Sequence, residues 1–464
     1  MTEYETIVAI ATSTAPAGVG MVRVSGPGAF VIAERVVRTK EPLSRQSHAT
    51  LRRMVVHDGV SGEVIDDGLV AVFHAPNSFT GENVVELQGH GGSVTLSRVL
   101  QTVLTAGARM ARPGEFSERA FVNGKLDLAQ AEAVASLIGA QTVTAQRVAR
   151  RQLDGSLSRA VTGATTAIGD ALARIEASID FPEDVGELLD DSVATAIVDE
   201  SLSRAQTIVG DLLATATYGR RLADGVTLVL AGRPNVGKSS LLNALAGRDR
   251  AIVSPVAGTT RDVIEESLHI GGIPVRALDT AGIRETGDAV EQIGVARART
   301  AVTDADVIVA VLDGTAGVTA EDAAFLRTLE GRIAVVAVNK ADAGDVTGTV
   351  RDAERLLPDA PVVSLAARTG AGLSELTSAI LAILTDARAI DADAPMVTSA
   401  RHTDALQRAA ASLERALGTL REAMPAELIA VDAHAAIAAL GEITGQTARE
   451  EIIAGIFSRF CIGK

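Results

Sequence analysis

The octapeptide GRPNVGKS at residues 232–239 constrains the fold more than any other stretch, because of what flanks it. The apolar run TLVLA leads in and the helical pattern SLLNALAG leads out, so the spacing G-x-x-x-x-G-K-S falls at a strand-to-helix turn. There, glycines let backbone N–H groups close on a β-phosphate, Lys238 reaches the β- and γ-phosphates, and the Ser239 hydroxyl is offered to Mg²⁺. From about Thr227 to Leu384 the same grammar repeats: VIVAVLD, RIAVVAVN and PVVSL each precede a loop and a helical pattern. That alternation predicts a doubly wound P-loop α/β domain of the Ras-like GTPase kind.

Further motifs follow in the order nucleotide hydrolysis requires. In AGTTRD, Thr260 is suited to complete a Mg²⁺ shell; in LDTAG, Asp279 ends a strand near the metal and Gly282 offers an N–H to the γ-phosphate. NKAD decides the base: a carboxylate at Asp342 accepts the paired ring and amino N–H donors of guanine, which adenine lacks. GTP is the expected nucleotide. Its contact set is Asn235, Val236, Gly237, Lys238, Ser239 and Ser240, then Ser254, Val256, Ala257, Gly258, Thr259 and Thr260, with Asp279, Thr280, Ala281, Gly282, Asn339, Lys340 and Asp342.

Two departures bear on mechanism. The base-closing loop reads SLAARTG, with Ala366 and Ala367 before Arg368, so the backbone is expected to serve there. Ile283 stands where Ras-like GTPases carry a water-orienting Gln, so another group must act, and Glu291 is the candidate, against the plainer reading of a solvated helix-end charge. Arg233, Arg248, Arg261 and Arg284 lie nearby, each readable as a solvated or paired side chain. A monovalent cation beside the Asn235 side chain and the SPVAGTT carbonyls is an alternative source of positive charge.

Elsewhere the pattern changes. Residues 1–123 mix β-rich runs (TIVAIAT, GMVRVSG, LVAVF, NVVELQG) with a helix near Ala29–Val37, the signature of an α+β domain. Leu157, Val161, Ile168, Leu172, Ile175 and Ile179 mark one helix face ending near DFPED, where Pro182 disfavours helical Phe181. Leu406, Ala410, Leu413, Leu417, Leu420 and Met424 mark another. The expected division is therefore 1–123, a helical domain in two parts (124–220 and 386–464), and a GTPase domain over 221–385 inserted between them. A formal charge of −15, with no Trp and only two Tyr, argues against tight nonspecific nucleic-acid binding by this chain alone. A single cysteine excludes an internal disulfide, and the absence of spanning or signal segments makes a cytoplasmic location the expectation, with no membrane partner.

Beyond the GTPase motifs, GVGMVRVSGP, PNSFTGENVVELQGHGG, RMARPGEFSERAFVNGKLDLAQAEAV, IDFPED, AGTTRDV and the terminal FCIGK together resemble the MnmE (TrmE) family of tRNA-modification GTPases over nearly the whole chain. The resemblance implies a homodimer joined through N-terminal folate-binding-like domains. It implies a heterotetramer with an MnmG-type FAD protein that installs an aminomethyl or carboxymethylaminomethyl group on C5 of the wobble uridine of tRNA. The one-carbon cofactor would be 5-formyl- or 5,10-methylene-tetrahydrofolate, and the family's folate positions match Arg23, Glu86, Lys125 and Lys464. Chemically the quartet is apt: a pterin offers Glu86 a guanine-like donor face, and cations pair a glutamate tail. The family's K⁺ positions match Asn235, Ser254, Val256 and Thr259, Mg²⁺ falls on Ser239 and Thr260, and its water-organising glutamate falls on Glu291. A rival class is a ribosome-assembly or RNA-associated GTPase switch that modifies nothing; such a switch would normally append a basic KH-like unit, whereas this tail is helical and not notably basic.

Cys461 has three readings. C-a-a-X prenylation fits poorly, with Gly463 and Lys464 in the last positions. A buried thiol anchoring the last helix is supported by Phe460 and Ile462. The resemblance favours a catalytic thiol near the folate and tRNA chemistry.

Overall fold

The computed structural model describes residues 5–181, 183, 188, 191–249, 265–279, 303–385, 391 and 393–463. The N-terminal elements are β1 (Ile7–Ile10), β2 (Ala17–Ser25), α1 (Ala29–Glu34), β3 (Val37–Arg38), β4 (Thr50–His57), β5 (Val64–Phe73), β6 (Val84–Gly91), α2 (Ser93–Thr105), β7 (Arg109–Met110) and α3 (Glu115–Val122). Helices follow at α4 (Leu128–Gly139), α5 (Val143–Leu153), α6 (Ser156–Asp180) and α7 (Ser192–Asp224). Then come β8 (Val226–Ala231), α8 (Lys238–Asp249), β9 (Glu265–Ile270), β10 (Ile273–Asp279), β11 (Val307–Asp313), α9 (Ala320–Arg327), β12 (Ala334–Asn339), α10 (Thr347–Leu356), β13 (Val362–Ser364) and α11 (Leu373–Leu384). The chain closes with α12 (Ala400–Arg421), α13 (Ala426–Thr444) and α14 (Glu450–Phe457). Two compact units result: Met1–Ala135 with Leu153–Ala205 and Ala411–Lys464, and Ser136–Gln152 with Gln206–Ala410. No helix among the described residues is long and apolar enough to cross a membrane.

In the first unit a seven-stranded sheet runs β3-β4-β5-β6-β2-β1-β7, antiparallel except where β7 joins β1 in parallel. Period-two alternation gives the sheet two faces. Val22, Val24, Val85 and Leu87 pack with Ile32, Leu96, Val99 and Val103 of α1 and α2. Ile7 and Ala9 pack on Phe116 of α3 on the opposite face. Register puts Arg23 between Ala9 and Glu86 on that second face. Helix α6 lies along α13. Leu157, Val161, Ile168 and Leu172 are buried on one helix, and Ile429, Ala433, Ala436 and Leu440 on the other, the small residues allowing close approach.

The predicted face of α6 is borne out, and the helix stops at Asp180 as the downstream proline requires. On α12 the stripe holds through Leu420, but Met424 is 42% exposed rather than buried. The helix has already ended at Arg421, Ala423 turns the chain at φ 52, and Pro425 follows.

In the second unit the sheet order is β13-β12-β11-β8-β10-β9, parallel except for the antiparallel pair β9 and β10. Leu228, Leu230, Val309 and Val311 meet Leu241, Leu245, Leu376 and Ile380 on one face. Val229, Ile308, Leu312 and Val336 meet Leu326, Ala353 and Leu357 on the other. The expected doubly wound arrangement is thus present. The first of these clusters also takes in Val148 of α5 and Met396, so segments outside 221–385 complete the core of this sheet. At roughly 1.5–3 kcal/mol per fully buried large aliphatic side chain, these residues matter to its stability.

Candidate functional site

Strand β8 is central, with β11 and β10 on either side, and the loops at the carboxyl ends of these strands carry the expected chemistry at the crevice where an open α/β sheet binds ligands. Gly232 follows β8, Asp279 ends β10, Asp313 ends β11 and Asn339 ends β12. Gly237 shows why the phosphate loop needs glycine: its φ is +100, and a Cβ there would lie 2.2 Å from Asn339 Nδ2.

Lys238 is 5% exposed, and its Nζ donates to the carbonyls of Gly232 (2.9 Å) and Arg233 (2.8 Å) at the head of the loop. Ser239 Oγ donates to Oδ2 of the fully buried Asp279 at 2.5 Å, bringing together a hydroxyl and a carboxylate that suit a small hard cation. Asn339 works as a staple, its Nδ2 donating to Val236 O (2.8 Å) and its Oδ1 accepting from Ala367 N–H (3.0 Å). The phosphate loop and the base-closing loop are thereby tied through one buried amide, by backbone at Ala367 in place of a serine hydroxyl. Asp342 sits beside Arg368 at the rim, while Asn235 and Ser240 are exposed at the turn.

Sequence reasoning missed two supports. Lys340 Nζ donates to Asp313 Oδ2 at 2.6 Å; burial raises the Asp313 pKa, but bonds from Lys340 and Thr315 outweigh it and hold the carboxyl below its usual range. Arg233 Nε donates to Asp322 Oδ1 at 2.8 Å, and Asp322 also forms a capping box with Thr319 at the start of α9. Burial raises the pKa of Asp322 too, and the Arg233 and Thr319 bonds more than reverse it. A guanidinium so held is a brace for the phosphate loop, in line with the paired reading of Arg233. The signal for Asp313 was available: it ends a buried strand at the same sheet edge as Asp279 and Asn339.

Other expected positions lie outside the described residues: Ser254, Val256, Ala257, Gly258, Thr259, Thr260, Thr280, Ala281, Gly282, Glu291 and Lys464, with Arg261, Ile283 and Arg284.

On the N-terminal sheet, Arg23 and Glu86 are cross-strand partners in contact, with Nε and Nη2 at 3.0 and 2.9 Å from Oε1. The guanidinium carbon lies 5.9 and 5.8 Å from the ring centres of Phe79 and Phe116, an aromatic lining absent from the sequence expectation. Lys125 is exposed and its stem passes the position where Gly81 would carry a Cβ, on the loop that bears Phe79.

Beneath this surface is a network of buried charge. Arg119 pairs with Glu82 (3.0 Å) and Glu115 (3.0 Å), and Glu115 also accepts from Arg109 Nη2 (2.6 Å) and Arg112 N–H (2.8 Å). Burial raises the pKa of Glu115, but the Arg109, Arg112 and Arg119 bonds overcome it and hold the carboxyl at about 2.

The C-terminal tail reaches the same sheet. Cys461 O accepts from Gly114 N–H (3.4 Å), and Gly463, at φ +96, fits so closely that a Cβ would come 2.4 Å from Ile10 O, one residue from the register partner of Arg23. The buried-thiol reading is corrected: Cys461 is exposed and Ile462 is 53% exposed. Helix α14 ends at Phe457, and anchoring falls to Phe460, packed on Phe457 at a ring distance of 5.4 Å.

The profile of the MnmE helical domain matches residues 128–461, and that of the GTP-binding protein TrmE N-terminus matches residues 6–125. The chain is 44% identical to the tRNA modification GTPase MnmE of Moorella thermoacetica, over 99% of each chain. It is 45% identical to that of Symbiobacterium thermophilum, again over 99% of each. Among solved structures, the G domain of the T. maritima FeoB iron transporter is 29% identical, covering 34% of this chain and 98% of that one at a TM-score of 0.25.

Proposed function

The chain belongs to the MnmE family of tRNA modification GTPases, and on that premise we propose that it hydrolyses GTP as one component of the machinery that modifies C5 of the tRNA wobble uridine. It is a GTP hydrolase by family. The observation that carries the finer reading is the contact of Arg23 with Glu86 beside Phe79 and Phe116, a cation, a carboxylate and two rings on one face.

In the GTPase half, Lys238 and the backbone N–H groups that follow Gly237 neutralise the β- and γ-phosphates, and Asp342 reads guanine. Asn339 holds the two loops in register for both tasks. Ser239 and Asp279, with Thr260, would hold Mg²⁺, which when bound supplies charge neutralisation between the β- and γ-phosphates. The Asn235 side chain, with Ser254, Val256 and Thr259, would hold K⁺ in the role of an arginine finger, and Glu291 would orient the water. If so, GTP turnover should be faster in KCl than in NaCl at equal ionic strength; equal rates would remove the cation from the mechanism.

In the other half, Glu86 would accept the donor edge of a reduced pterin, whose bound one-carbon unit supplies the carbon to be transferred. Arg23 orients Glu86 through Oε1 and leaves Oε2 to the ligand; Lys125 and Lys464 would pair the glutamate tail. Cys461, exposed beside this sheet, would contribute a reactive thiol. Partners would be a second copy through the N-terminal domain, an MnmG-type flavoprotein and tRNA, in the cytoplasm.

Mass spectrometry of wobble nucleosides tests the reading in cells lacking the chain, then complemented with wild type, Glu86→Gln or Cys461→Ser. Aminomethyl-type modifications should vanish on deletion, return with wild type, and stay depleted with either variant while GTP turnover persists. Unchanged nucleosides on deletion would favour the switch reading instead.

A further inference from the structure

Asp342 closes NKAD, and its Oδ2 accepts from a single side chain twice: Arg368 Nε at 3.0 Å and Arg368 Nη2 at 2.8 Å. These donors are two N–H groups flanking one amidine-type carbon. Guanine presents the same edge, N1–H and the 2-amino N–H on either side of C2. Both donor pairs need the same carboxylate, so they exclude one another at Oδ2.

Resting on the assignment of Asp342 to guanine, we infer that Arg368 is an intramolecular stand-in for guanine that competes with the nucleotide for Asp342 and thereby sets its affinity and release rate. Loop geometry supports this. Ala367 N–H is held by Asn339 Oδ1, Ala341 N–H donates to Leu365 O (3.1 Å), and Gly370 N–H donates to Ala366 O (2.9 Å). The backbone around position 368 is therefore fixed at the rim of the base site. The Arg368 side chain is 82% exposed and free to swing away, whereas Asp342 is only 18% exposed. Strands β12 and β13, which deliver the two loops, are parallel neighbours, so the two side chains meet whenever the loop is closed.

An exposed ion pair is a weak competitor, which suits a regulator of exchange better than a block. Binding and dissociation of fluorescently labelled GDP on the full chain test it. Arg368→Ala should bind GDP about two- to fivefold more tightly, mainly through slower release, with the gap narrowing as NaCl is raised. Arg368→Gln repeats the measurement with an uncharged polar side chain in place of the guanidinium. Unchanged or weaker binding in both variants overturns the inference, weaker binding meaning that Arg368 holds the base.

The Asp342 assignment is tested apart. Asp342→Asn should lose GDP and gain xanthosine diphosphate, whose C2 carbonyl accepts from an amide. If Asp342→Asn leaves GDP binding intact, that assignment fails; if it behaves as expected and Arg368→Ala does nothing, only the competition fails. In the Asp342→Asn background, Arg368→Ala should leave xanthosine diphosphate affinity unchanged, and a persisting effect would place the action of Arg368 elsewhere and overturn the inference.

Discussion

Lys238→Ala is expected to lower GTP turnover by about two to three orders of magnitude, the cost of removing one preorganised charge donor from a developing anionic transition state. The structure makes this side chain hard to replace. It is only 5% exposed, and its Nζ is held at the mouth of the loop by two backbone carbonyls. Single-turnover hydrolysis at saturating GTP separates binding from chemistry. A variant that merely raised KM and kept full kcat would show that Lys238 binds the ground state and the transition state equally, and so does not contribute to the chemical step.

Glu115→Gln is expected to cost about 3–5 kcal/mol locally, because it removes the buried carboxylate that two buried or half-buried guanidinium groups share. Arg119 is 4% exposed and pairs with Glu115 and Glu82, while Arg109 pairs with Glu115 and Glu5. Hydrogen exchange read by mass spectrometry should show protection across α3 falling by about two to three orders of magnitude, at roughly 1.4 kcal/mol per factor of ten. Unaltered protection would mean that the arginines find water or other partners.

The same carboxylate gives a pH signature. Its folded pKa is depressed to about 2 from an ordinary 4.5, so its contribution is complete above about pH 4.5 and lost as pH falls through about 2. The gap between wild type and Glu115→Gln should close over that window. A gap that persisted unchanged below pH 2 would exclude the ionised carboxylate as its source.

How much of this was legible beforehand depended on contiguity. The α6 stripe and the strands β8, β11 and β12 were readable because burial on a fixed face writes a period into neighbouring residues. Strand β4, TLRRMVVH, was not readable: its first half is exposed, and Arg52 and Arg53 interrupt the apolar alternation. Strand β9, EESLHI, escaped for a similar reason, as an edge strand paired on one side only. Met424 was assigned to a helix because its spacing fitted, whereas the turn at Ala423 had already redirected the chain. The buried reading of Cys461, one of three, rests on its apolar neighbours, whereas the tail is held by Phe460 and Gly463.

The sequence by itself determined the chemistry of short segments: a phosphate loop between strand and helix, a carboxylate for guanine in NKAD, the stop of a helix before Pro182. Each depends on residues within a few positions of one another, where local sterics and hydrogen bonding set the conformation. Only the tertiary structure decided that Arg23 meets Glu86 from 63 positions away, that Arg233 is braced by Asp322 from 89 away, and that Arg368 rests on Asp342. Those encounters follow from strand register and sheet order. Register and order are settled by how distant apolar faces pack together, a sum over the whole core that no short stretch of sequence contains.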